Sequence, residues 1–329
     1  MKLARGLGVA VLAAAAVAGW CAWRLTQPYQ TFAGETFVEY PRGSSSRTLA
    51  TELARAGVVR SQWDFLLARA LSPSSVLQAG EYRFNRPASP LEVLSRIARG
   101  DSFYYTLTVP EGRNIFDIAS AAASLGLFSA NEFLDRARDP SLIRDLDPGA
   151  PTLEGYLFPS TYRLGRHTTA AGLCRMMTAR FRDAWGRLGT AAAVHPTVTL
   201  GSLVEKEGKV PAERPLIAAV FANRLRLGMT LDCDPSTIYA ALVEQRYRGA
   251  IFRSDLASDN PYNTYRHAGL PPGPIANPGL DAIRAVLDPA RTDALYFVLR
   301  PDGSGAHQFS STMAAHQAAV ALYRRAKKR

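Results

Sequence analysis

Leu200, Leu203, Val204 and Glu207 recur at i, i+3, i+4 and i+7, one face of a helix with a 3.6-residue period. Gly208 follows at once and reads as a helix C-cap. A carboxylate placed there is desolvated by its apolar neighbours and lies at the negative end of the helix dipole. Both effects push its pKa above the ordinary value of about 4.3. Lys206 and Lys209 pull the other way. A carboxyl group held protonated near neutral pH is what general acid catalysis requires. The plainer alternative is a glutamate fraying off a helix end into solvent. Glu205, two positions back, lies about 200° around the helix and is the second choice for the acid.

Other chemistries find less support. His307 and His316 are nine apart with no cysteine nearby, which matches no zinc template, so no metal is expected. Ser310, Ser311 and Thr312 lack a nearby His–Asp arrangement. No G-x-G-x-x-G or P-loop string occurs, and no cofactor is expected. Of three cysteines, Cys21 lies in an apolar N-terminal segment; Cys174 and Cys233 do not define a disulfide framework, and no bridge is predicted.

The elements that must position Glu207 follow an N-terminal signal. Gly6–Trp23 is uncharged and mainly apolar, with Lys2 and Arg5 before it and Arg24 after it. Its length is at the short end for a bilayer span. The positive-inside rule puts residues 1–5 in the cytoplasm and everything after the 6–24 anchor outside it. Ala16-Val17-Ala18 also fits a signal-peptidase site, so a removed signal peptide is the rival; either way the rest is exported.

Residues 39–59 resemble residues 109–128 at an offset of 69, pairing Pro41 with Pro110, Gly43 with Gly112, Leu49 with Ile118 and Gly57 with Gly126. Each copy reads as strand, Gly turn, amphipathic helix and second helix, and Ala79–Phe84 closes the first copy as a return strand. The net charge is +11, from 39 Lys and Arg against 28 Asp and Glu. Export excludes most nucleic-acid roles, and weak attraction to anionic headgroups or acidic wall peptides fits better. The basic end, residues 324–329, closes an amphipathic helix and reads as a disordered tail.

From Glu154 onward the chain resembles the endolytic murein transglycosylases, the YceG-like family of bacterial envelope enzymes. The matching strings are EGYLFPSTYRL (Glu154–Leu164), SLVEKE (Ser202–Glu207), ERPLIAAVFANRLRLGM (Glu213–Met229), LDCDPSTIYA (Leu231–Ala240), NPYNTYRHAGLPPGPIANPG (Asn260–Gly279), LYFV (Leu295–Val298) and HQFSSTMAAH (His307–His316). The likeness extends weakly to the N-terminus. In that family the second Glu of the E-K-E string, here Glu207, is the catalytic acid. Asp232 stands where the family usually has Gln, and Ser236 where it usually has Thr.

The resemblance implies an α+β fold: a membrane anchor, a small LysM-like α/β module at 35–86, a second repeat-like segment at 87–150 and a mixed α+β catalytic domain at 151–323. It implies a lytic transglycosylase, a carbon–oxygen lyase of the inner membrane that cleaves peptidoglycan without water and leaves 1,6-anhydro ends. It also implies penicillin-binding synthases as partners. Asp234, Asn263, Tyr265, Glu154 and Tyr162 are the expected substrate-binding or orienting residues. Asp234 also reads as a helix N-cap before Pro235. Tyrosines of the 260–265 loop suit stacking on sugars, and Leu270–Pro274 reads as a stiff wall. Two rivals stand: a silent glycan-binding scaffold, and a water-using muramidase pairing Glu207 with Asp232 or Asp234.

Overall fold

The computed structural model describes residues 2–327. Residues 328–329 of the basic tail, and the side chains of Lys2 and Arg5, lie outside the described residues. The chain is mixed α+β and divides into two compact units, Met1–Tyr105 and Thr106–Arg329.

The first unit runs α1 (Lys2–Thr26), β1 (Thr36–Tyr40), α2 (Ser46–Arg55), α3 (Gln62–Leu71), β2 (Gly80–Phe84) and α4 (Pro90–Arg99). α1 is long and apolar enough to cross a membrane. It runs on past the expected residue 24 to Thr26, whose hydroxyl donates to the Trp23 carbonyl at 2.8 Å. β1 and β2 pair antiparallel, Thr36 opposite Phe84 and Tyr40 opposite Gly80. Their alternation turns Val38, Tyr40, Tyr82 and Phe84 into one core with Leu49, Leu53 and Phe65. That core also takes in Val93, Leu94 and Ile97 of α4. The break expected at residue 86 therefore falls later, because α4 buries its apolar stripe against the first unit.

The second unit begins within β3 (Tyr105–Val109) and continues α5 (Ile115–Ala123), α6 (Ala130–Ala137), β4 (Ser160–Leu164), α7 (Ala170–Gly186), α8 (Val194–Glu207), α9 (Arg214–Arg226), α10 (Asp234–Val243), α11 (Arg253–Leu256), α12 (Leu280–Leu287), β5 (Tyr296–Leu299), β6 (His307–Ser310) and α13 (Met313–Lys327). β3 is hydrogen-bonded to β4, and β5 pairs antiparallel with β6. α13 stays helical through Arg324, Arg325 and Lys327, so these basic residues are helical rather than a loose tail.

The internal repeat is longer than the sequence match. Both copies run strand–helix–helix–strand–helix, β1-α2-α3-β2-α4 and β3-α5-α6-β4-α7. Caps recur: Ser45 and Asn114 accept from backbone N–H groups of α2 and α5, and Ser61 and Ser129 do so for α3 and α6. The paired glycines Gly43 and Gly112, and Gly57 and Gly126, all have positive φ, which explains why both copies keep glycine there. β4 starts 80 residues after β2 while α6 starts 68 after α3, so the second copy carries twelve extra residues between them.

Candidate active site

α8 is the central helix of the second unit, packed against α9, α10 and α12. Leu203 and Val204 are fully buried, and Leu200 nearly so. Glu207 is the last residue of α8, with Gly208 as C-cap, and is half-buried. Its carboxyl Oε1 accepts from the Cys233 thiol at 3.2 Å. Desolvation is the main cause that raises its pKa, and the Asp234 carboxylate adds to it; the Cys233 bond, His307 and Lys209 pull it down. The Lys206 Nζ donates to the Gly112 carbonyl at 3.3 Å.

Glu205 has a different setting. Its side chain is 6% exposed, its Oε1 accepts from Arg214 Nη2 at 2.8 Å, and its Oε2 accepts from the Gly279 N–H at 3.0 Å. Both oxygens are therefore committed to joining α8 to the starts of α9 and α12. Burial raises its pKa, with Gly279 and Arg214 opposing.

Around Glu207 stand three neighbours of distinct character. Cys233 is buried, and its N–H donates to Thr264 Oγ1 at 3.0 Å. Asp234 is exposed, and its Oδ1 accepts from the Tyr265 hydroxyl at 2.6 Å. The N-cap expected at Asp234 is instead Cys233, so α10 starts one residue earlier and leaves the Asp234 carboxylate free to take the phenol. His307 is buried, and both its N–H and its Nδ1 lie 2.8 Å from the Glu213 carboxylate.

Asn263 sits at 0% exposure and is committed to its own loop, to α11 and to α10. Its Nδ2 donates to Ser258, Leu256 and Asp255 carbonyls; its Oδ1 accepts from Thr237 and from the Tyr265 N–H. It positions Tyr265 rather than offering free groups to a ligand. Ser236 and Thr264 share a buried hydroxyl bond of 2.8 Å that fastens this loop to α10. Asp232 has φ +52 and pairs with Arg224 Nη1 at 2.9 Å, so its extra charge is neutralised locally.

Glu154 and Tyr162 lie elsewhere in the unit. Glu154 is buried in the extra segment of the second copy; it accepts from the Ile115 N–H and from Asn277 Nδ2, each at 2.9 Å. Burial pushes its pKa up to about 8, against the Ile115 N–H and the Tyr239 hydroxyl. Asn277 continues the network to the Leu157 N–H and the Arg113 carbonyl. Tyr162 donates to the Phe158 carbonyl four residues back, the bond that Tyr82 makes to Gln78 in the first copy. Its hydroxyl thereby fastens the chain entering β4. The Pro271–Pro274 wall closes over Gly155, where a Cβ would meet Pro274 Cγ at 2.4 Å.

Sequence reasoning does not place Cys233 or His307 beside Glu207, or Glu213 against His307. The sequence offers Cys233 for a disulfide and His307 for a metal; the adjacency of Cys233 to Asp234 is the available signal. Both buried cysteines are free thiols.

The sequence model of the YceG-like family matches residues 38–322. The chain is similar to the endolytic murein transglycosylase of Bacillus subtilis (strain 168), 31% identical over 309 residues, covering 87% of this chain and 84% of that protein. It is 33% identical over 294 residues to the endolytic murein transglycosylase of Streptococcus pneumoniae serotype 2 (strain D39), covering 79% of this chain and 53% of that protein, about half of its length. A crystal structure of a yceG-like protein from Listeria monocytogenes aligns with a TM-score of 0.56 at 29% identity, covering 87% of this chain and 98% of that one.

Proposed function

Because this chain belongs to the YceG-like family, we propose that it is a membrane-anchored peptidoglycan lytic transglycosylase with Glu207 as its acid and base. The observation that carries the reading is the division of labour between carboxylates. Glu205 is tied to Arg214 and Gly279, and Asp232 to Arg224, while Glu207, also of raised pKa, is half-buried and among the described residues takes only a thiol donor on its carboxyl group. A single protonated carboxyl suits a reaction that needs one group in two roles.

In the first step Glu207 gives its proton to the glycosidic oxygen between N-acetylmuramic acid and N-acetylglucosamine, and the C1–O bond breaks. In the second step the Glu207 carboxylate takes the proton of the muramic acid C6 hydroxyl while that oxygen bonds to C1. The proton count closes, no water enters and a 1,6-anhydro ring results. Asp234 lies close enough to raise the Glu207 pKa, and its negative charge favours an oxocarbenium-like transition state. Tyr265 orients that carboxylate.

Anchoring by α1, with its start in the cytoplasm and both units in the periplasm, would keep the site near emerging glycan. This supports nascent strands as substrate, termination of polymerisation as outcome and penicillin-binding synthases as partners. The first unit takes the place of a LysM-like module, gripping glycan or spacing the second unit from the bilayer.

A second reading has one observation behind it. Asp234, exposed beside Glu207, would serve a muramidase as the partner that activates water. Uncrosslinked glycan incubated with the full chain and with Glu207→Gln, then weighed by mass spectrometry, separates the two. Fragments lighter than hydrolysis products by one water, absent with the variant, bear out the lytic reading. Full-mass reducing fragments move the assignment to the muramidase, and unchanged cleavage by Glu207→Gln removes Glu207 from it.

A further inference from the structure

Helix α3 carries an exposed face with no charge on it. Trp63 is 65% exposed, Leu67 37% and Leu71 65%, at i, i+4 and i+8, and Ala70 is exposed between them. Its one acidic residue, Asp64, points inward and holds Arg24 of α1 through two bonds of 2.7 and 3.2 Å. A contiguous apolar face of this kind on an otherwise soluble unit marks a surface that something covers.

The internal repeat supplies a control within the same molecule. α6 is the copy of α3 at an offset of 68. The buried position is kept, Phe65 in one and Phe133 in the other. The outward positions are not. Where α3 has Trp63, Leu67, Ala70 and Leu71, α6 and the turn after it have Asn131, Asp135, Arg138 and Asp139, all exposed. The same scaffold thus has a wet face in the second copy and a greasy one in the first, so the scaffold itself does not require the apolar side chains.

The neighbour of that face says what covers it. Trp20 and Arg24 of α1 line one groove with Trp63 and Leu67 of α3. Leu25 is buried in the core of the first unit, and Arg24 lies over the Trp20 ring at 4.9 Å. α3 is therefore fixed level with the last turn of the helix that is long and apolar enough to cross a bilayer. Trp20 and Trp23, both exposed on the last two turns of α1, stand at the height where aromatic residues gather at a membrane surface.

We infer that α3 is an interfacial helix, lying with Trp63, Leu67 and Leu71 in the headgroup and upper acyl region of the phospholipid leaflet beside the end of α1. The first unit is then bound to the membrane along a face as well as by its anchor. The inference rests on the reading of α1 as a membrane anchor.

The test uses the full chain in phosphatidylethanolamine–phosphatidylglycerol vesicles, in a Cys21→Ala background with the buried Cys174 and Cys233 left in place. Nitroxide labels are attached in turn to Leu67→Cys, to Trp63→Cys as a second reporter of the face, to Asp135→Cys on α6 and to Val17→Cys on α1. Collision with oxygen reports lipid, and collision with a water-soluble nickel chelate reports solvent. The expected oxygen-to-nickel ratio at 67 and 63 is several-fold above that at 135. The inference is overturned if either face label matches the label at 135. It is also overturned if both are shielded from both agents, as a covering protein would leave them. Should the label at 17 be solvent-like too, the anchor reading has failed; should 17 stay lipid-like while 67 is wet, only the interfacial helix has failed.

Discussion

The Cys233 thiol donates to Oε1 of Glu207 at 3.2 Å, across 26 residues of sequence, from a position buried at the start of α10. The bond stabilises the ionised carboxylate and so opposes the burial that raises the Glu207 pKa. Activity that needs protonated Glu207 is lost as pH rises through that pKa. Cys233→Ala removes a lowering influence, so the alkaline limb of kcat/KM should move to higher pH. A pH–rate profile of the two proteins checks the direction, and an unmoved limb would show that the thiol does not govern the acid.

Glu207 and Glu205 should fail in different ways. Glu207→Gln is expected to lose activity by about 10²–10⁴-fold, the usual worth of a general acid, with its unfolding midpoint in urea held. Glu205→Gln leaves buried Arg214 with only the exposed Glu111 carboxylate at 3.6 Å and the Gly279 N–H with a weaker acceptor, and should cost about 1–3 kcal/mol of stability. Urea unfolding beside an activity assay of both variants distinguishes the two.

Glu154 should make the second unit less stable with rising pH. Its folded pKa of about 8 exceeds the ordinary 4.5, so between those values the unfolded chain has released a proton that the folded chain still holds. Stability therefore falls across that window, by at most about 1.4 kcal/mol per pH unit, and levels off above it. Glu154→Gln stays neutral and should lack this slope. Urea unfolding from pH 5 to pH 8, compared between the two proteins, is the measurement.

Tyr265 and Asn263 should separate binding from folding. Tyr265→Phe loses only the half-exposed bond to Asp234 and should change stability by less than about 1.5 kcal/mol, while lowering kcat/KM by loosening Asp234. Asn263→Ala leaves the Ser258, Leu256 and Asp255 carbonyls and the Tyr265 N–H unpaired in a buried loop. It should cost at least about 2 kcal/mol, read as a shift of the urea midpoint.

What the sequence revealed was local and periodic. The Leu200–Glu207 face, the Gly208 cap and the paired glycines are all signals carried by a few neighbouring residues. The repeat was legible for its strand and two helices, where the offset holds at 69 or 68. It was lost at the return strand because the extra residues that carry Glu154 break the register. Contacts between distant residues left no such trace: Glu154 meets Asn277 across 123 residues, and His307 meets Glu213 across 94. The cap expected at Asp234 also depended on a partner out of sight, since the Tyr265 phenol lies 31 residues away.

Leu25 in the core of the first unit, with Arg24 bound to Asp64, leaves no hinge at the point where α1 ends. A tether with a flexible joint would let the bilayer tilt and thin without consequence. With α1 as the membrane anchor proposed above, a rigid strut would turn helix tilt into rotation of the first unit, making local bilayer thickness a mechanical input to that unit.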